Sequence, residues 1–143
     1  MWCLVTSVVF AEVEPYLHGD KNFPLVWEDS RTAWYLDKNS VAVKVNDPPF
    51  FIVSAKVVTA GGAETCEVFF DEDDVDMRIF DNSTKDWFYL NPSEVPAENQ
   101  QAMCIGEAIF YVTQGRKFYG NYLWKSDKEY LDVFSDEFYE NLR

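Results

Sequence analysis

The chain has 143 residues, of which 48% are apolar and 17% aromatic, enough for one packed core and too few for two. Acidic residues outnumber basic ones 25 to 12, and the formal net charge of -13 is spread along the chain rather than gathered in a tail. Such a field repels phosphate backbones and anionic membrane surfaces, so nucleic acid is not an expected partner, whereas cations and basic proteins are favoured.

The opening stretch, residues 1–11, carries no charge, and its largely apolar run from Leu4 ends at Ala11, just before acids begin at Glu12 and Glu14. That order matches the back half of a secretory signal without its basic leading region, and predicts a mature chain of residues 12–143 forming a single α+β domain. A buried first strand is the alternative. The run is too short to span a bilayer, so no membrane insertion of the mature chain is expected. Cys3 would leave with the signal, and the two cysteines that remain, Cys66 and Cys104, are the even number that suits a secreted or periplasmic protein. A disulfide between them would close a loop of about 38 residues and stabilise the fold by roughly 4 kcal/mol in the chain-entropy picture.

From Pro15 to Pro24 the chain reads as an extended arm with turn chemistry at Gly19-Asp20. Short β-like runs follow. "LVW" and "AWYL" flank the polar "EDSRT" as a first hairpin, and "SVAVKV" sets Val41, Val43 and Val45 on one face. Asn46-Asp47-Pro48-Pro49 turns the chain into "FFIVSAKVVTA", which ends at the hairpin glycines Gly61-Gly62. "ETCEVFFDED" then places Cys66, Val68 and Phe70 in phase, and "VDMRIF" and "WFYL" follow across a turn at "DNSTKD". Six antiparallel strands in meander order are the economical reading, because the connections are too short for crossovers.

After Asn91-Pro92 the period changes. Apolar residues at 105, 108, 109 and 112 predict a helix over about 99–114, with Gly115 closing it and Cys104 near its buried edge. Ser135, followed by Asp136 and Glu137, starts a short C-terminal helix. Strands first and helices last give an α+β fold: an antiparallel meander sheet of about six strands with the helix packed on one face.

No motif specifies a chemistry. His18 is the single histidine and lies in the arm, so nucleophilic triads and zinc sites have no partners for it, no phosphate-binding glycine loop is present, and no cofactor is expected. "DEDDVD" gathers Asp71, Asp73, Asp74 and Asp76, a candidate for weak calcium binding, although the order of an EF-hand loop is absent; a solvated hairpin tip is the plainer reading. Paired carboxylates for hydrolysis would need acids such as Asp37 and Glu107 to meet in a cleft. Glu107 sits inside the apolar helix pattern and calls for a buried partner, with Lys56, Arg78 or Arg116 as candidates for an ion pair. Asn82-Ser83-Thr84 is a formal glycosylation sequon. Aromatics are abundant enough that some must point away from the core, and a Tyr-rich patch exposed on the sheet face opposite the helix would mark a binding surface.

Trp27, the run Trp34-Tyr35-Leu36-Asp37, Ser40-Val41, "PPFFIVSAKVV", "WFYLNP", "GEAIFY" and "KFYG" together resemble a group of small exported domains of Gram-negative-type Firmicutes over about residues 25–142. Residues 27–60 are similar, more distantly, to surface-adhesin E-like domains, which share a Trp, a Tyr-x-Asp and a Ser-Val entering a strand. The resemblance implies an antiparallel sheet with a helix packed on it, exported to the cell envelope, and its adhesin side implies contact with a protein; it transfers no binding residue. Asp37 and Ser40 themselves read as turn organisers through side-chain to backbone hydrogen bonds. The resulting expectation is a non-enzymatic exported cell-envelope binding domain for a protein or cationic ligand. The alternatives are a carboxylate-based hydrolase or an acidic inhibitor of a basic secreted enzyme.

Overall fold

The computed structural model describes residues 13–93, 97–122 and 134–143. Residues 1–11, read above as a signal remnant or a first strand, lie outside the described residues. Six strands, β1 (Leu25–Glu28), β2 (Ala33–Asp47), β3 (Phe50–Thr59), β4 (Gly62–Asp71), β5 (Asp76–Asp81) and β6 (Asp86–Tyr89), pair antiparallel in the order of the chain. The sheet curves as a half-barrel around helix α1 (Ala97–Gln114), and a second, short helix α2 (Asp136–Leu142) closes the chain. The expected α+β meander is the observed fold.

Two of the expected β runs are one strand. "AWYL" and "SVAVKV" are the halves of the 15-residue β2, joined by an irregularity in which Asp37 faces Lys56 while Ala42 already faces Ser54. Three extra residues are thus absorbed on the β2 side of the ladder. Asp37 and Ser40 hold this bulge as expected. The Asn39 N–H donates to Asp37 Oδ1 at 3.0 Å, the Ser40 hydroxyl donates to the Asp37 carbonyl at 2.7 Å, and Ser40 Oγ accepts the Lys56 N–H at 2.7 Å. Ser40 therefore supplies the ladder bond that the bulged backbone cannot make. A second register shift, between Val43 and Val45, sets Val43 opposite Val53 and Val45 opposite Ile52. Those partners belong to opposite faces, so the single valine face read from the alternation is split.

Along β3 and β4 the alternation is regular. Phe51, Val53, Ala55, Val57, Val68 and Phe70 are buried on the inner face, where α1 packs. Residues 103–110 of α1 are buried almost all the way round, more than a one-sided amphipathic helix would be. The sheet covers one side and the 116–121 loop with α2 covers the other. Phe110 is the hub, 4.9 Å from the ring centroids of both Phe70 and Phe118 and edge-on to Phe51 at 5.7 Å; removing such a ring costs about 3–5 kcal/mol in a packed core. Gly106 lets the helix approach β5, since a Cβ there would run into the Met77 thioether. Gly115, at φ 72°, ends α1 in the left-handed conformation with its N–H on the Tyr111 carbonyl, and Ser135 Oγ caps α2 by accepting the Phe138 N–H at 3.2 Å.

Glu107 takes no cation, contrary to expectation. Its carboxylate is fully buried and accepts four hydrogen bonds: Oε1 from the Tyr119 N–H (2.7 Å), and Oε2 from the Phe118 N–H (2.8 Å), the Gly120 N–H (3.3 Å) and the Tyr139 hydroxyl (2.9 Å). Arg78 and Arg116 pair instead with Asp76 and Glu72, and Lys56 is exposed. Backbone donors can serve here because a loop that folds over a helix presents successive N–H groups to one point. Burial pushes the Glu107 carboxyl above its ordinary value, and the four donors oppose that push. Tyr119 continues the network: its hydroxyl donates to the Leu90 carbonyl at 2.7 Å and accepts the Met77 N–H at 3.1 Å.

Glu107→Gln sets an amide NH2 against at least one of these donors and is expected to lower stability by about 2–3 kcal/mol, against about 1–2 kcal/mol for Tyr139→Phe, which leaves three donors in place. Urea denaturation of the two variants ranks them; an equal or reversed order contradicts the network.

Candidate functional site

The other face of the sheet carries what the core does not use. On β3 the residues out of phase with the buried ones are Phe50, Ile52, Ser54 and Lys56; on β4 they include Phe69 and Asp71. Register then brings these side chains into rows. Val45, Ile52, Phe69, Arg78 and Tyr89 are successive cross-strand partners, and Phe80 faces Trp87 one step along. Phe69 stacks on Phe50 at 6.2 Å and meets Trp87 edge-on at 6.3 Å, while Trp87 meets Phe80 edge-on at 5.2 Å. Phe50 and Tyr89 remain 44% and 46% exposed, and Val45 38%. An apolar row of this extent on a solvated sheet face is unusual in a chain carrying so many charges.

Within the row lies an open groove of about 580 Å³ whose apolar lining is Ile52, Phe69 and Trp87 and whose polar lining is Asp71, Asp76, Asp86 and Arg78. Arg78 is already engaged. Its Nε and Nη2 reach the Asp76 carboxylate at 3.0 Å each, and its guanidinium lies 5.6 Å over the Tyr89 ring. Asp71 and Asp86 are in no ion pair among the described residues; they accept backbone N–H bonds, Asp71 from Asp73 and Asp74 and Asp86 from Trp87. The groove therefore carries an uncompensated negative charge on an aromatic floor.

The same bonds engage the acids of the calcium candidate. Asp71, Asp73, Asp74 and Asp76 do flank the β4–β5 hairpin tip, but Asp71 is turned into its own turn and Asp76 onto Arg78. Among the described residues no group of three acids, histidines or cysteines converges as a metal ion would require. Glu72, in the same run, is tied to Arg116 Nε at 2.9 Å. The hydrolytic pair is likewise not assembled: Asp37 caps the β2 bulge, and Glu107 is sealed inside the helix-loop network.

The Cys66–Cys104 disulfide is also corrected. Both are free thiols. They do share the inner side of the sheet, as their phases implied, but Cys104 is buried on α1 beside β1 and α2, whereas Cys66 lies on β4 near Ile79 and Phe88 of the far strands. Burial pushes the Cys66 thiol up to about 11, with Glu64 adding to the effect, and pushes Cys104 higher still with help from Glu107.

The aromatic row answers the search for an exposed ring patch opposite the helix, with a different composition. Phe50, Phe69, Phe80 and Trp87 make most of it, and Tyr89 is its single tyrosine. Phe88, next to Trp87 in sequence, belongs to the other face through its pairing with Ile79 and is half exposed there. The signal that could have found the row is the set of apolar residues out of phase with the buried alternation, Phe50, Ile52, Phe69 and Phe80. No protein-family model matches this chain, and no curated protein or solved structure matches it either. No helix among the described residues is long and apolar enough to cross a membrane.

Because the Cys66 thiol is shifted upward, it holds its proton in the native state at pH values where an ordinary cysteine ionises. Its alkylation at pH 8 is expected to run roughly 100-fold slower than that of the urea-unfolded chain and to accelerate as the pH rises toward 11. The sign for stability is the same: the contribution of the protonated thiol is full below about pH 9 and is lost as the pH rises through 11. Mass spectrometry of the alkylated protein reads the rate; fast native labelling contradicts the burial.

Proposed function

We propose that this protein is a non-enzymatic interaction domain of the cell envelope that takes a protein partner on the outer face of its sheet. The observation that carries this reading is the aromatic row across β3 to β6 on the face opposite α1, with Phe50 and Tyr89 exposed and Phe69, Phe80 and Trp87 half-buried. The strands and the contacts among these rings position them before a partner arrives, which lowers the ordering cost of binding. Aromatic side chains in such positions are the usual anchors of protein interfaces.

Two further points support binding over hydrolysis. The carboxylates of the groove are already engaged as acceptors, Asp71 and Asp86 from backbone N–H groups and Asp76 from Arg78. Glu107, the one deeply buried carboxylate among the described residues, is enclosed by four protein donors. The inhibitor reading is a special case of the same surface with a basic enzyme as the partner. Export enters this reading from the uncharged residues 1–11 and from the resemblance to exported domains.

Peptides selected from a random display library on the immobilised protein are expected to shift amide resonances of Ile52, Phe69, Arg78 and Trp87. Their affinity should fall about tenfold or more with Trp87→Ala and stay within about twofold with Phe88→Ala on the inner face. Ligands that map to α1 or α2, or that ignore Trp87, contradict the proposal. Intact mass of the protein from its native host, starting at Glu12 or at Met1, tests export separately.

A further inference from the structure

We infer that the groove between Phe69 and Trp87 receives a lysine or arginine side chain of the partner, its aliphatic stem on the rings and its cation against Asp86 and Asp71. This inference rests on the outer face being the binding face.

The apolar floor alone would suit any hydrophobic segment, a second copy of this chain included. Charge decides among them. The charged residues around the floor are three aspartates and one arginine; Arg78 is neutralised by Asp76, and the neighbouring Lys44 and Glu67 neutralise each other at 3.2 Å. Among the described residues, Asp71 and Asp86 are left over. A second copy would bring another -13 to the contact and two further unpaired aspartates to the groove, which opposes self-association at every separation within the screening length. An acidic or neutral partner would bury both aspartates without compensation, at the cost of desolvating each. A basic side chain removes that cost. Its carbon stem covers ring surface while the head stays at the rim, the way Lys and Arg side chains commonly cover apolar surface. The rings add attraction of their own, since the face of Trp or Phe is negative toward a cation. Arg78 over Tyr89 at 5.6 Å shows the same geometry already realised within this face by one of its own residues.

Three capped peptides with identical alternating leucines and with lysine, glutamine or glutamate between them test the inference, using calorimetry for affinity and amide shifts for location. The lysine peptide is expected to bind about tenfold or more tighter than the glutamine peptide, to weaken about tenfold between roughly 0.02 and 0.3 M salt, and to shift Ile52, Phe69, Arg78 and Trp87. Asp86→Asn keeps an oxygen for the Trp87 N–H and should cost the lysine peptide about threefold or more while leaving the glutamine peptide unchanged. Trp87→Ala should weaken it too, and Phe50→Ser, at a ring already 44% exposed, serves as a second variant should Trp87→Ala unfold. Equal binding of the lysine and glutamine peptides at the groove overturns the basic occupant and leaves the outer-face reading standing. Binding of the lysine peptide that neither Trp87→Ala nor Phe50→Ser alters overturns both, as does no binding by any of the three.

Discussion

The Glu107 carboxylate is the point on which the fold closes. From Leu25 to Tyr89 the chain is sheet built by local hairpins, and none of those hairpins needs the helix to form its ladder. What the sheet lacks by itself is a cover for its inner face. Helix α1 supplies that cover, and Glu107 then holds the chain's return over the helix through the N–H groups of Phe118, Tyr119 and Gly120 and the Tyr139 hydroxyl of α2. Gly120 stands where a Cβ would strike the Tyr139 hydroxyl, so the loop can come this close only with glycine there. A charge with four donors is expensive to bury and more expensive to expose half-satisfied, which makes the arrangement all-or-none. Tyr119 extends it to Met77 and Leu90, so that one cluster joins helix, loop, β5 and the chain after β6.

With the inner face committed in this way, the outer face is the surface left for other work. Antiparallel sheets can solvate one face, and in an acidic protein that face would ordinarily be filled with charge and threonine. Here β3 to β6 present rings instead, and the bulges of β2 influence which residues join them. The shift between Val43 and Val45 puts Val45 beside Ile52 on the outer face, and the larger irregularity after Asp37 keeps Leu36 on the inner face opposite Val57. A bulge is thus what lets one long strand serve the core with its first half and extend the ladder past the core with its second. The Trp-Tyr-Leu-Asp stretch is structural in this sense: Leu36 and Tyr35 are buried, and Asp37 begins the bulge.

The two faces also account for the expectations that failed. Phase along a strand says which side of the sheet a residue takes, and Cys66 and Cys104 were indeed both on the inner side. Phase does not say how far apart along the sheet two such residues lie, and here one sits toward β1 and the other toward β6. Acidic residues behaved similarly. Asp71, Glu72 and Asp76 are consecutive enough to suggest a cation cage, yet each finds a partner in a different direction: its own turn, Arg116 from the end of α1, and Arg78 from the adjacent position on β5.

The strands, their order and the two helices were legible from the sequence because each depends on local information: alternation in β3 and β4, turn residues at Gly61-Gly62 and Asn82-Ser83, a change of period after Pro92, and caps at Gly115 and Ser135. The turn roles of Asp37 and Ser40 were legible for the same reason, since their bonds reach a few residues or one strand away. Glu107's partners, the merging of two runs into β2 and the separation of the thiols were not, because each is settled by which distant segment arrives beside a residue. The aromatic row stands between these cases. Its members are visible as apolar residues out of phase with the core, but that Phe50, Phe69, Phe80 and Trp87 form one surface depends on the register of four strands. Register across a sheet is set by the packing of its buried face, and a residue on the open face inherits neighbours it did nothing to select.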